Sequence, residues 1–439
     1  MDGIDRAIAK QRQADLLRRS LRRHQWDDGP PPARFGLPRE LWLVVFGMFL
    51  NYVGYGAVLP FEVIYLHDGR GFSLGVAGLV VGLITGAAVV TAPLAGPLID
   101  RFGARAVATY AGVALAAGYI ALAFAESQPH AFLAAAIAGA GNGALNPSQS
   151  TLVATLAPKE LRHRATAVSR VAGNAGAGLG AGLGGLIATA GLTGFVVLFV
   201  ADGVTYLVYV GVLVVVVRDD PRPERVAGGY RVVVRDRAFL HLAVTNVAMI
   251  AVGWGVFTWL LPPYAEGGLG ISASLIGLLL LANAATVAVA QVPIAKFAEG
   301  RRRVTVMGLA AWAFVGACQL VITAGVTAEA ATVMLVAAVI LVGLGECFHT
   351  TVLMPLVADL APAALRGRYM ASMGLSWWIG LAIAPAAGAQ LLSVSPTATF
   401  VAAAVVALLA GVSALTLERH LPDAARLTPR PPPSGLRRR

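Results

Sequence analysis

Three carboxylates sit where a carboxylate is expensive. Glu62, Asp202 and Glu346 each lie inside a long apolar run, and an ionised side chain at the centre of a bilayer costs at least about 2.5 to 3.5 kcal/mol. A carboxyl kept in such a place can bind and release protons. His349 follows Glu346 by three residues, a spacing that puts both on one helix face, close enough to share a proton as a coupled titratable pair; a structural hydrogen bond is the plain alternative. Glu62 stands at the outer end of its run with Asn51 and Tyr55 at helical steps of seven and four before it. That face is polar and aromatic, as a cavity wall is, although Glu62 could equally snorkel toward the headgroups. Asp202, in Phe199-Val-Ala-Asp202-Gly-Val-Thr205-Tyr206, is expected chiefly to hydrogen-bond neighbouring helices.

The elements that hold these groups must be membrane spans. Of 439 residues, 57% are hydrophobic and 13% charged, against about 25% charged in a soluble domain, and the mean hydropathy is +0.73. A soluble enzyme, a secreted disulfide scaffold and a disordered chain are excluded. At about 20 residues per spanning helix, apolar runs near 41–65, 75–98, 106–125, 131–156, 165–190 and 194–217, then 239–264, 272–295, 304–324, 330–357, 369–391 and 397–417, predict twelve spans. Cys318 and Cys347 fall within such runs and predict no disulfide.

The net charge of +11 is arranged as a topology signal, not a nucleic-acid footprint. With both termini placed inside, all but Arg70 of the 34 Lys and Arg residues fall on the cytoplasmic side, which is the positive-inside pattern. No apolar segment precedes Leu41, so no cleaved signal peptide is expected. The organisation read from this pattern is a basic cytoplasmic tail over 1–40, a six-helix bundle over 41–217, a cytoplasmic linker over 218–238, a second bundle over 239–417 and a Pro/Arg-rich cytoplasmic tail over 418–439. The first tail could lie on an anionic leaflet or simply be solvated; disorder is expected from Pro429 onward.

The halves repeat. Val153-Ala-Thr-Leu-Ala-Pro158-Lys-Glu-Leu161-Arg162-His-Arg164 returns 204 residues later as Val357-Ala-Asp-Leu-Ala-Pro362-Ala-Ala-Leu365-Arg366-Gly-Arg368. The same offset aligns Gly176, Gly180, Gly184 and Gly185 with a segment that holds Gly380 and Pro385. Parallel repeats about an axis along the membrane normal belong to one transporter architecture. Together with Gly96-Pro-Leu-Ile-Asp100-Arg101-Phe-Gly103-Ala-Arg105, which matches the signature G-x-x-x-D-R/K-x-G-x-R/K, these features make the chain resemble the major facilitator superfamily from Leu41 to Leu417, and within it the twelve-span drug:proton antiporters.

The resemblance implies an all-α membrane fold of twelve helices in two pseudo-symmetric six-helix bundles, with helices 1, 4, 7 and 10 lining a central cavity. That favours Glu62 and Glu346 over Asp202 for proton coupling, and adds Asn142 and Asn146 of helix 4 and Asn246, Trp254 and Phe257 of helix 7 as substrate-cavity candidates beside Asn51 and Tyr55. It implies a gate at Gly96, Asp100, Arg101, Gly103 and Arg105, where the acid engages helix 11 when the inner side is closed. Arg170 and Asn174 would belong to the same inner gate network. Gly176, Gly180, Gly184 and Gly185 resemble the family's antiporter motif, with Ala181 where proline is usual and Pro385 at the matching place in the second half. The helix-4 arginine frequent in drug exporters is missing.

Gly180-x-Gly182-x-x-Gly185 spells a dinucleotide fingerprint but lies in an apolar helix and follows no strand. No Walker sequence, zinc spacing or nucleophile elbow occurs, so no cofactor and no metal are expected. The reading is a monomeric secondary transporter of the inner or plasma membrane, a non-enzyme whose partners are small molecules, protons and the bilayer, exporting amphiphilic or cationic compounds. A metabolite importer of the same fold, or a non-transporting scaffold or receptor, are the alternatives.

Overall fold

The computed structural model describes residues 36–158, 161–217, 232–362 and 365–428. Among them are twelve long helices: α1 Arg39–Gly69, α2 Leu74–Phe102, α3 Ala104–Ala123, α4 Gln128–Leu156, α5 Arg162–Ala188, α6 Gly191–Val216, α7 Arg237–Leu269, α8 Ala273–Ala298, α9 Arg303–Ala324, α10 Ala331–Leu360, α11 Arg368–Val394 and α12 Pro396–Leu417. Eleven are long and apolar enough to cross a membrane. The remaining one, α4, is 29 residues long but carries Asn142, Asn146, Ser148, Gln149, Ser150 and Thr151, a load of amides and hydroxyls that a helix tolerates when it faces protein or a water-filled cavity rather than lipid. The basic tail over 1–35, most of the linker and the last eleven residues lie outside the described residues.

The packing repeats with a shift of six helices. In the first half α1 packs on α5, α2 and α3 on α4, and α3 on α6; in the second, α7 packs on α11, α8 and α9 on α10, and α9 on α12. Across the halves α5 meets α8 and α2 meets α11. The two bundles are thus related as the sequence repeat requires.

Small residues set how closely the backbones approach. A Cβ on Gly176 would meet the Phe49 carbonyl oxygen at 2.7 Å, and one on Gly180 or Gly184 would overlap the carbonyls of Val53 and Ala57. The stripe at steps of four therefore faces α1, as in other small-residue contacts between membrane helices. Gly185 turns the other way, 2.8 Å in the same sense from the Cα of Gly277 in α8. In the second half the corresponding surface of α11, including Pro385, Ala386 and Ala389, lies on Gly78 and Gly82 of α2.

These contacts between halves are all at one end. They involve the beginning of α2, the end of α5, the beginning of α8 and the end of α11, and so lie far from the face where the described chain begins and ends. Toward the termini the halves separate: a Cβ on Gly96 would meet no atom within 4 Å, and Val90, Val171, Val289 and Val292 are exposed. The molecule is closed at the far end and open at the termini end.

At the far end Arg70 caps α3. Its Nε donates to the Tyr65 hydroxyl (2.6 Å), its Nη2 to the Ala123 carbonyl, and Tyr65 Oη donates to the carbonyls of Leu122 (2.9 Å) and Ala123 (2.8 Å). A cation at a helix C-terminus satisfies orphan carbonyls and the dipole together, which gives Arg70 a structural role at this end. At the opposite face Arg303, 1% exposed, is held by Asp359 of α10 at 2.5 Å, and Thr428 donates its N–H to the Arg301 carbonyl and accepts at its own carbonyl from the Gly300 N–H (3.0 Å each), fastening the end of the described chain to the loop between α8 and α9.

Candidate functional site

Glu62 is fixed by an irregular stretch of α1. Pro60 has no N–H to give the helix ladder, and Leu59–Phe61 tightens to a 3₁₀ turn just before it. The carboxyl, 1% exposed, accepts from Tyr119 Oη of α3 at 2.9 Å and from Trp259 Nε1 of α7 at 2.9 Å. Trp259 stands in a π-helical stretch, Ala251–Leu260, the wide-turn geometry that often marks functional sites. The second of these bonds joins the two halves at their closed end. Neither Tyr119 nor Trp259 was singled out by sequence reasoning; the signal was that an indole or phenol in an apolar helix needs a partner for its polar tip.

Glu346 and His349 are not paired, contrary to the spacing argument. Glu346 Oε1 accepts from Asn283 Nδ2 of α8 at 3.3 Å, whereas His349 is fully buried with both ring nitrogens unpartnered and its ring 5.6 Å from that of Trp254. Three residues turn a helix by only about 300°, and here that difference sends one side chain to α8 and the other to α7. Trp254 continues into an aromatic group with Trp377 (4.8 Å) and Phe314 (6.3 Å).

Asp202 is also corrected. It is fully buried, but neither carboxyl oxygen has a hydrogen-bond partner; the Thr205 hydroxyl donates to the Asp202 carbonyl (2.7 Å) instead. It therefore does not tie helices together by hydrogen bonds.

The cavity candidates divide. Tyr55 and Asn146 line a cavity of ≈ 340 Å³ among α1, α4 and α5, shared with Tyr52, Gln149, Arg170 and Asn174. Tyr52 Oη donates to Asn146 Oδ1 at 3.4 Å. Asn51 and Asn142 are buried and do not line it, while Asn246 is buried and donates to Ser376 Oγ of α11 at 2.7 Å, so it joins α7 to α11. Phe257 is buried in the core and Trp254 half-buried. In the gate motif, Gly103 has φ +90° and ends α2 with the turn into α3. Arg105 Nη2 donates to the Val214 carbonyl (3.0 Å), and Arg101 lies over the Phe102 ring at 5.1 Å. The Asp100 side chain lies outside the described residues. No cluster of His, Cys, Asp and Glu able to hold a metal occurs among the described residues.

The site thus comprises two buried acids, one bonded across the seam between bundles, and a polar cavity open toward one face. An uncharacterized MFS-type transporter, YttB of Bacillus subtilis (strain 168), is 28% identical over 367 residues, covering 81% of this chain and 89% of that one. A multidrug resistance protein, MdtH of Aeromonas salmonicida (strain A449), is 30% identical over 143 residues, 33% of this chain and 36% of its own length. A solved POT family transporter in complex with 5-aminolevulinic acid has the same fold, with a TM-score of 0.75 at 13% identity over 90% of this chain and 99% of that one. The family model of the Major Facilitator Superfamily matches residues 44–267 and again 243–438, so the chain belongs to that superfamily of membrane transporters.

Proposed function

We propose that this transporter is a proton-coupled exporter of amphiphilic small molecules, working by alternating access, with Glu62 as the coupling carboxyl. The observation that carries the reading is the place of Glu62: buried at the closed end and bonded to Trp259 across the seam. Both termini are assigned to the cytoplasm by the positive-inside pattern, so the closed end faces outward and the cavity faces the cytoplasm. An alkaline-phosphatase reporter fused after Arg237 should be inactive; activity there overturns the assignment.

Opening the outer end separates Trp259 from Glu62 and brings the carboxyl to outside water. Closing it buries the carboxyl again, which costs less when the group is neutral than when it is charged. A proton taken up from outside therefore favours outer closure and the cytoplasm-facing state, from which proton release prepares the next export cycle. Glu346, held by Asn283 of α8, supplies an anionic position for cargo bearing a cationic group. The partial relationship to a multidrug resistance protein supports broad cargo.

In inside-out vesicles, a pH gradient acid inside should drive accumulation of exported dyes, and dye addition should release protons from the lumen. Accumulation that ignores the gradient refutes coupling. Movement in the opposite direction refutes export.

A further inference from the structure

The cavity among α1, α4 and α5 has an electrostatic character that the proton site does not explain. One full charge lines it, the guanidinium of Arg170, and no carboxylate does so among the described residues. Arg170 is exposed to the cavity and forms no ion pair or hydrogen bond among the described residues. One turn on, Asn174 lines the same space. From α4, Asn146 and Gln149 line it as well. Beside these donors stand the aromatic rings of Tyr52 and Tyr55, edge to face with centroids 6.4 Å apart.

We infer that this cavity is a binding subsite for the carboxylate of an aromatic or amphiphilic organic acid. Arg170 supplies the charge and a planar fork of donors suited to a carboxylate, Asn174 one turn on adds an amide donor, and Tyr52 and Tyr55 cover the ring. The volume of ≈ 340 Å³ is at the lower end of small-molecule pockets, which run from about 300 to 1,000 Å³. The assignment rests on the reading of the chain as an exporter that loads from the cytoplasmic side. It extends that cargo from cationic compounds to organic acids and zwitterions, whose anionic group is held in the first half while Glu346 in the second stands ready for a cation.

The test is calorimetric titration of the purified full chain in detergent with 1-naphthoate and, as the cation of the same shape, 1-naphthylmethylammonium. Arg170→Gln should weaken 1-naphthoate about ten-fold or more and change the ammonium compound by less than about two-fold. Arg170→Lys keeps the charge without the fork, should recover part of the affinity, and provides a folded variant should the glutamine protein not be obtained. Unsaturable binding of 1-naphthoate to the unmodified protein overturns the subsite, as does unchanged affinity in Arg170→Gln. Equal weakening of both probes assigns Arg170 to the inner gate instead. Because no proton gradient is present, failure of proton coupling in vesicles leaves this result standing, and the two readings fail separately.

Discussion

Glu62→Gln is expected to abolish proton-driven transport while leaving gradient-free exchange of cargo in place. The amide preserves the volume of the side chain but cannot exchange a proton, and it presents one acceptor oxygen where the carboxyl presents two, each now engaged at 2.9 Å by Tyr119 and Trp259. Being permanently neutral, it removes the extra cost of burying a charge at the outer gate, so the outward-to-inward step no longer waits for a proton. Trp259→Phe separates coupling from closure: the ring is kept and only the N–H donor across the seam is lost. A hydrogen bond of this kind contributes about 0.5 to 3 kcal/mol depending on charge, so its loss should shift the gate toward outward opening by up to roughly a hundred-fold in population and lower concentrative export without removing pH dependence. Glu346→Gln, whose bond to Asn283 stays within the second half, should alter cargo affinity and leave coupling intact. Proton release upon cargo addition, measured for all three, decides. Coupling retained in Glu62→Gln and lost in Glu346→Gln would move the role to α10; coupling retained in both would leave Asp202 or a mechanism without protons.

The spans, their number and the relation between the halves were legible because each is a local or periodic property: apolar length, charge at alternate loops, and a segment repeated at a fixed offset. The glycine stripe was legible for the same reason, since steps of four define a face whatever it packs on. What packs there was not. Glu62 and Trp259 are 197 positions apart, and no local pattern announces that partnership; it follows from two bundles meeting at one end. The Glu346 and His349 spacing misled because nearness along a helix surface does not fix direction once neighbouring helices on both sides compete for the side chains. Arg170 was read with Asn174 as part of an inner gate network, and its cavity emerges when α1 and α4 are set beside it.

The packing of α1 on α5 is the other place where a single residue has a large consequence. Gly180 lies where its own missing side chain would collide with the Val53 carbonyl and stand 2.8 Å from the Ala57 nitrogen, so any Cβ must push backbone, not a side chain that can rotate away. Gly56 of α1 returns the contact, facing the main chain of Ala177, so the two helices interlock from both sides and neither can yield alone. Gly180→Leu should therefore drive the helices apart and destabilise the first bundle by about 3 kcal/mol or more, the upper range of overpacking, seen as a fall of several degrees or more in Tm and poor recovery from the membrane. Gly182→Leu is the comparison on the same helix: its nearest neighbour is the Leu281 side chain at 3.4 Å, which can move, so it should cost far less in stability. A Gly180→Leu protein as stable as the unmodified one would show that α1 and α5 do not need the approach seen here, and the glycine stripe would then have to be explained by motion rather than by packing.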